Sequence, residues 1–137
     1  MQITIENDVA ADLEKVWAAW TTPESITQWN FAIDEWHCPS ASLNLVAGGT
    51  FNYRMEAKDG SMGFDFTGKF TQIDRLSTIR YQMDDGRNVS VRFAKTSDGV
   101  KITETFDAED ENSAEQQRLG WLGILNNFKA FVEAENN

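Results

Sequence analysis

The fold of this chain is decided between residues 48 and 70, which read GGTFNYRMEAKDGSMGFDFTGKF. Phe51, Tyr53 and Met55 alternate with polar residues, and this period of two is typical of a strand that buries one face. Asp59-Gly60 is the strongest short hairpin signal in the chain. The strand predicted after it, from Ser61 to Asp74, carries the same alternation, with an apolar face made of Met62, Phe64, Phe66 and Phe70.

Further segments extend this hairpin into an antiparallel meander. Each alternates apolar and polar residues and is bounded by a turn signal such as Asp85-Gly86. Residues 31–40 show no regular period and are predicted to form a partly buried loop. Gly68 shares the register of its strand's apolar face, which predicts a bend or bulge there. The remaining predicted strands are Gln2 to Asp8, Ala41 to Val46, Thr78 to Met83, Val89 to Phe93 and Val100 to Phe106.

Two short helices are predicted directly after the first strand. Asp12 is placed to cap the first of them, whose apolar stripe runs from Leu13 to Trp20 at helical spacing. Thr22 is a favourable cap residue and Pro23 suits a first helical position, so a second helix is expected to begin there.

The chain is predicted to end in one long helix. Ser113 and Gln116 have the spacing of a capping box, and the helical pattern continues to about Ala134. Gly120 and Gly123 interrupt this helix, and two explanations stay open for them: close packing on the sheet, or a flexible point that gates a pocket. The inward stripe consists of Trp121, Leu125, Phe128 and Val132.

This order of elements favours a cavity inside the molecule. A helix about 10 Å wide cannot cover seven antiparallel strands, so the sheet is expected to curl around it and leave space between them. The buried sheet face is rich in aromatic residues, which suits an apolar pocket with polar tips. The residues predicted to bind a ligand there are Trp29, Phe31, Trp36, His37, Tyr53, Phe64, Phe66, Tyr81, Glu104, Trp121 and Leu125.

Glu104 occupies the apolar face of its strand, between Ile102 and Phe106. One interpretation makes it a polar anchor or proton acceptor in the pocket. The other, which the sequence favours, places it at the wet end of the strand, because an unpaired buried carboxylate is costly.

His37 and Cys38 are expected to pack at the cavity mouth. One histidine and one cysteine cannot supply a structural metal site, and no cofactor or catalytic set is expected.

The composition fits one domain over residues 1–137, without disulfides. The formal net charge of −10 disfavours nucleic acid as a partner, and no apolar run is long enough for membrane insertion. A single cysteine and the absence of a signal-peptide pattern predict a cytoplasmic protein.

Six carboxylates and no base lie between Glu104 and Glu115, as expected for a solvated turn before a helix.

Four segments together resemble a known family. They are Val16-Trp17-x-x-Trp20-Thr21-x-Pro23-Glu24-x-Ile26-x-x-Trp29, Gly48-Gly49-x-Phe51-x-Tyr53 with Asp59-Gly60, Gly68-x-Phe70-x-x-Ile73, and Gly120-Trp121-x-x-x-Leu125-x-x-Phe128. Their order and spacing, from about Ile3 to Glu135, are similar to those of the activator of heat shock protein 90 ATPase homologue-like family. That family lies within the START and birch-pollen-allergen-like (SRPBCC, polyketide cyclase) superfamily. The resemblance implies an α+β helix-grip fold of about seven strands and a ligand-holding cavity, and it implies no catalytic residues.

Three functions are compatible with these observations. The first is the binding of a small apolar or aromatic molecule in the cavity. The second is an enzyme of the cyclase or aromatase kind, in which Glu104, His37 or a tyrosine handles protons. The third is a protein-interaction module, co-chaperone-like, that uses the acidic segment. Trp36-His37 does not reproduce the Trp-His-Trp motif found in the eukaryotic co-chaperones of the family.

Overall fold

The computed structural model describes residues 1–135. Over this range the chain forms a seven-stranded antiparallel sheet and three helices. The elements are β1 (Gln2–Val9), α1 (Leu13–Thr21), α2 (Pro23–Trp29), β2 (Trp36–Leu43), β3 (Thr50–Ala57), β4 (Gly63–Asp74), β5 (Thr78–Met83), β6 (Asn88–Thr96), β7 (Gly99–Asp107) and α3 (Ala114–Glu135).

The sheet has the order β1-β7-β6-β5-β4-β3-β2, so the first strand pairs with the last one. Every neighbouring pair is antiparallel, and β1 joins β7 in unbroken register from Gln2 opposite Asp107 to Val9 opposite Val100. The sheet curls into a half-barrel that holds α3 on its concave side. The predicted α+β helix-grip fold is therefore confirmed.

β2 begins earlier than the sequence pattern predicted. The segment assigned to a loop contains Trp36 to Ser40, which belong to this strand, and the strand ends at Leu43 rather than Val46. Its pairing with β3 shifts register between His37 and Ser40, and Pro39 lies inside that irregularity. β2 is an edge strand, where a proline can be accommodated. The bulge breaks the period of two, which explains why the predicted strand begins only at Ala41.

Gly68 is regularly paired with Phe51 and Met83, so the bulge predicted at this glycine is wrong. The register of β4 shifts instead between Phe70 and Gln72. A Cβ at Gly68 would lie 2.7 Å from the ring of Phe51 and 2.7 Å from the carbonyl oxygen of Gln82. Glycine is required here because the Phe51 ring and the Gln82 carbonyl oxygen occupy the space that a side chain would need.

Gly68→Ala is therefore expected to destabilise the protein by about 1–3 kcal/mol, since the added methyl group overpacks a filled site. Gly120→Ala is the matched control, because a Cβ at Gly120 would meet no atom within 4 Å. Urea unfolding of both variants measures the difference. Equal midpoints for Gly68→Ala and the wild type would contradict this explanation.

The three helices begin at the predicted positions, but only α3 has the predicted side-chain capping bonds. Asp12 and Thr22 occupy the cap positions of α1 and α2, but neither side chain makes a capping bond. Pro23 lies in the first turn of α2, as predicted. The capping box of α3 is confirmed: Ser113 Oγ accepts from the Gln116 backbone N–H at 3.1 Å, and Gln116 Oε1 accepts from the Ser113 N–H at 3.3 Å.

Removing the capping oxygen with Ser113→Ala is expected to cost about 0.5–2 kcal/mol of stability, because an N–H of the first turn of α3 loses its partner. Ser113→Asp, which keeps an acceptor at the same place, serves as the control. Chemical denaturation reports both values, and an alanine variant as stable as the aspartate variant would contradict the assignment.

Aromatic side chains plug one end of the half-barrel. Trp20 of α1, Trp29 of α2 and Phe128 of α3 meet pairwise with ring centroids 4.8 to 4.9 Å apart. Phe93 of β6 packs edge-on against Trp20 at 5.7 Å. Trp29 Nε1 donates to the carbonyl oxygen of Ala19 at 3.0 Å, which ties α2 to α1. This end of the half-barrel is therefore filled by packed side chains.

Candidate ligand-binding cavity

A cavity of about 570 Å³ lies beyond this plug, between the sheet and α3. Its volume falls within the range of about 300–1,000 Å³ that small-molecule sites usually have. Strands β2 to β5 and β7 supply most of the wall, and α3 closes it with Gly120, Trp121 and Ile124. The elements that make up the fold therefore also make up the site.

Phe51 is the centre of the aromatic wall. Its ring contacts those of Tyr53, Phe66, Phe70 and Tyr81 at centroid distances of 4.9 to 5.7 Å. These side chains share one face of β3, β4 and β5 because the three strands pair in a register that aligns their apolar positions. The rings line the sheet and support one another, and they leave the space in front of them open.

Trp121 forms the opposite wall. Its indole stacks on Phe106 at a centroid distance of 4.1 Å with an interplanar angle of 9°, and it meets Phe66 edge-on at 6.4 Å. Offset stacking of this kind holds a large ring in one orientation. Trp121 therefore presents a fixed aromatic surface to the cavity.

Seven of the eleven predicted site residues lie on the cavity wall. Phe64 is at the mouth, where 48% of its surface is exposed, and Trp36 rests on it from outside at a centroid distance of 5.9 Å. The residues on the wall are Trp29, Tyr53, Phe64, Phe66, Tyr81, Glu104 and Trp121.

The structure places Phe31, Trp36, His37 and Leu125 away from the wall. Leu125 is fully buried in the core, because the helix is rotated so that Gly120 and Ile124 face the cavity. Phe31 packs against the core, and its neighbour Ala32 reaches the wall instead.

His37 and Cys38 lie on the edge strand β2 and are not part of the cavity wall, and their packing at the cavity mouth stays a prediction. The His37 Nε2 atom lies 3.8 Å from a carboxylate oxygen of Glu56, and 41% of its side chain is exposed. Cys38 is buried, its thiol donates to the carbonyl oxygen of Ser40 at 3.4 Å, and burial raises its pKa.

Sequence reasoning missed several wall residues. Leu43, Leu45, Met55 and Met83 were not singled out, although the alternation of β3 and β5 places Met55 and Met83 on the inner face. Ile124 could have been found by helical spacing from Trp121, since residues three apart lie on the same side of a helix.

Glu104 is the unusual group of the cavity. It pairs with Ile5 on one side and Val91 on the other, lies three residues inside β7, and is only 5% exposed. Burial raises the pKa of its carboxyl group to about 8. The favoured interpretation, a wet carboxylate at the strand end, is therefore wrong. Within residues 1–135, no cation or hydrogen-bond donor contacts this carboxyl group.

Tyr53 and Tyr81 carry the two other polar tips of the inner wall. Burial raises the pKa of both hydroxyl groups above their ordinary value, and the Glu104 charge raises the pKa of Tyr81 further. In the part of the chain that the structure describes, neither hydroxyl has a hydrogen-bond partner. Near neutral pH the inner wall thus presents two hydroxyls and one carboxylic acid in their protonated forms.

The mouth of the cavity carries charged residues that are already paired. Asp85 Oδ2 lies 2.8 Å from Arg87 Nε, and Asp65 Oδ2 lies 3.6 Å from Arg54 Nη1. The hydroxyl of Thr67 donates to the Asp84 carboxylate. Asp65 and Asp85 thus each lie beside an arginine, whereas the Asp84 carboxylate has a hydroxyl as its partner.

The two glycines of α3 have different surroundings. A Cβ at Gly123 would lie 3.0 Å from the carbonyl oxygen of Ala32, so this glycine allows α3 to approach the loop after α2. The close-packing explanation therefore holds for Gly123, with this loop as the partner in place of the sheet. Gly120 lies on the cavity wall with open space in front of it. Gating by either glycine stays a prediction.

A curled antiparallel sheet around a long helix, with an apolar cavity between them, defines a helix-grip protein. The model of the activator of Hsp90 ATPase homolog 1-like protein family matches residues 10–133 of the sequence. The chain belongs to this family. None of the curated proteins matches the sequence.

Solved structures agree with this assignment. The AHSA1-like protein from Aeromonas hydrophila is 47% identical, with a TM-score of 0.94 over 99% of this chain and 94% of the other. A protein from Cytophaga hutchinsonii is 46% identical, with a TM-score of 0.84 over 98% and 93%. A protein from Nitrosomonas europaea shares the fold at 18% identity, with a TM-score of 0.83 over 99% and 96%.

Neither a membrane-spanning helix nor a metal-binding cluster is present among the described residues. No helix among residues 1–135 is long and apolar enough to cross a membrane. In the same range, no group of three or more His, Cys, Asp or Glu side chains is arranged to hold a metal ion.

Proposed function

We propose that the protein binds a small apolar or aromatic molecule in the cavity between the sheet and α3. The observation that carries this proposal is the cavity itself, about 570 Å³ in volume and walled mainly by aromatic and aliphatic side chains. Packing against flat rings favours a flat ligand, because stacked and edge-on ring contacts add to the free energy of apolar burial.

The size of the site sets the expected affinity. A ligand with two fused rings and a short substituent has about 13 non-hydrogen atoms, and about 0.5 kcal/mol for each is a moderate efficiency. The resulting free energy of about 6–7 kcal/mol corresponds to a dissociation constant of roughly 10–50 μM. Binding in this range supports a carrier or sensor of small molecules and requires no catalytic group.

Titration with naphthalene derivatives tests the proposal. Trp121 stands on the wall, so its fluorescence is expected to change saturably, and amide shifts are expected at Gly120 and Ile124. Amides of Ala130 and Glu135, near the end of α3, serve as internal controls because they lie outside the wall. No saturable response up to about 1 mM ligand would contradict the proposal.

The acidic segment has internal contacts that give it a structural role. Asp107 accepts from the Asn88 backbone N–H at 2.8 Å, and the Glu109 side chain accepts from the Asn112 N–H at 2.6 Å. The buried Gln117 side chain donates to the carbonyl oxygens of Glu109 and Asn112. These contacts order the turn before α3. A protein partner for this segment stays a prediction, as do a catalytic activity and a cytoplasmic location.

A further inference from the structure

We propose that Glu104 and Tyr81, with Tyr53 nearby, form a hydrogen-bonding end of the cavity that selects aromatic ligands carrying a neutral carbonyl oxygen. The inference rests on the proposed function and adds the chemical class of the ligand. Away from the charged mouth most of the wall is apolar, and three polar groups without protein partners among residues 1–135 border the same space.

The topology brings these groups together. Glu104 lies on β7 and Tyr81 on β5, with only β6 between them, and their inward faces turn toward each other because the sheet is concave. Tyr81 is close enough to both Glu104 and Tyr53 for their charges to raise its pKa. The three side chains therefore form one cluster.

Covering this cluster without replacing its hydrogen bonds to water is costly. A buried polar group without a hydrogen bond loses about 1–3 kcal/mol relative to water. Glu104 is 5% exposed, and no protein group in the described range satisfies its carboxyl group. A ligand that supplies a hydrogen-bond acceptor would satisfy the cluster, and a pure hydrocarbon would cover it and leave it unsatisfied. This difference is the physical basis of the selectivity.

The protonation state decides which ligand atom fits. With a pKa of about 8, the Glu104 carboxyl group is mainly protonated at neutral pH and acts as a donor. Tyr81 and Tyr53 remain protonated and also donate. The charged side chains closest to the cluster are at the mouth, where Arg87 is paired with Asp85. A carbonyl oxygen accepts through two lone pairs, so it can take up Glu104 and Tyr81 together, and the hydroxyl of Tyr53 lies nearby.

An ammonium ligand is the main competitor for this site. It would pair with ionised Glu104 and be surrounded by aromatic rings, which also attract cations. To pair with Glu104 near neutral pH, however, it must first remove the carboxyl proton. At the mouth, Asp65 and Asp85 are paired with Arg54 and Arg87, and the Asp84 carboxylate accepts from the Thr67 hydroxyl. The cluster in its resting state thus favours the neutral acceptor.

Three naphthalene probes of nearly equal shape separate these possibilities. They are methyl naphthyl ketone, isopropenylnaphthalene as its hydrocarbon counterpart, and naphthylethylamine as the cation. We expect the ketone to bind about tenfold more tightly than the hydrocarbon at pH 6.5, which corresponds to about 1.4 kcal/mol. Its affinity is expected to be constant below pH 8 and to fall above it, since ionised Glu104 no longer donates.

The ammonium probe has the opposite pH dependence. If it pairs with Glu104, its affinity rises about tenfold per pH unit below pH 8, because binding releases the carboxyl proton. An ammonium probe that binds more tightly than the ketone and shows this rise would overturn the inference. Equal affinities of ketone and hydrocarbon would also overturn it and would leave the proposed function standing. If no probe binds, the proposed function itself fails.

Two variants at one position complete the test. Glu104→Gln keeps an N–H donor without a titratable group, so the ketone preference is expected to survive while its fall above pH 8 disappears. Glu104→Leu removes this donor and should reduce the ketone preference to well below tenfold, with the remainder supplied by the hydroxyls of Tyr81 and Tyr53. Retained hydrocarbon binding shows that each variant is folded around an intact cavity. A leucine variant that still prefers the ketone about tenfold would contradict the assignment of Glu104.

Discussion

Gly120→Phe is expected to abolish the binding of naphthalene probes, with a loss of at least about 100-fold. Gly120 lies on the cavity wall, and a Cβ there would meet no atom within 4 Å, so a benzyl group can enter the space that the ligand needs. The substitution also replaces a helix-interior glycine, which favours helix formation by several tenths of a kcal/mol. The variant should therefore fold and lose only its binding. Fluorescence titration and thermal unfolding measure the two properties.

Ala130→Phe is the matched control for this variant. Ala130 is exposed on the same helix and lies outside the cavity wall, so the same ring is added without filling the site. Wild-type affinity is expected for the control. If Gly120→Phe binds the probes as tightly as Ala130→Phe does, the ligand does not occupy the cavity, and the account of the site is contradicted.

The second large effect concerns pH and the buried carboxyl group. In the unfolded chain Glu104 has an ordinary pKa near 4.5, and in the folded protein the pKa is about 8. Below pH 4.5 the carboxyl group is protonated in both states, so it adds no pH dependence to the free energy of unfolding. Between these values the unfolded state releases the proton and the folded state retains it, so the free energy of unfolding falls by about 1.4 kcal/mol per pH unit. Above pH 8 the carboxyl group is ionised in both states, and the free energy of unfolding falls no further on account of Glu104.

Glu104→Gln removes this dependence. The difference in unfolding free energy between the wild type and Glu104→Gln is expected to shift by about 3–5 kcal/mol between pH 4 and pH 8.5, against the wild type at the higher pH. Urea denaturation across this range measures it, and the remaining carboxylates cancel in the difference. Asp98→Asn, at the exposed β6–β7 turn, is a control that should show little pH-dependent difference. A flat difference for Glu104→Gln would mean that the carboxyl group is solvated.

The strands at the centre of the sheet could be predicted because their periods are regular. β3 and β4 alternate apolar and polar residues around Asp59-Gly60, and the pattern alone determines which side faces inward. The first half of β2 could not be found in this way, because the bulge between His37 and Ser40 breaks the period of two. The alternation of apolar and polar residues reflects regular pairing between strands, so it does not identify a strand where that pairing is interrupted by a bulge.

The site could be predicted less completely than the fold, for geometric reasons. Alternation placed Glu104 on the inner face, but its depth depends on how far β7 extends and how strongly the sheet curls. Helical spacing identified the stripe of α3, but the rotation of the helix decides that Ile124 and not Leu125 faces the cavity. Curvature and rotation arise from packing among distant elements, so the local pattern does not contain them.

Whether a small aromatic molecule occupies the cavity between the sheet and α3 can be seen in intermolecular nuclear Overhauser effects between bound methyl naphthyl ketone and the isotope-labelled protein. We expect contacts from the ligand to the Trp121 indole, to Tyr53 and to the methyl groups of Ile124. Saturating ligand that shows contacts only to surface groups, or none to these three side chains, would contradict binding in the cavity.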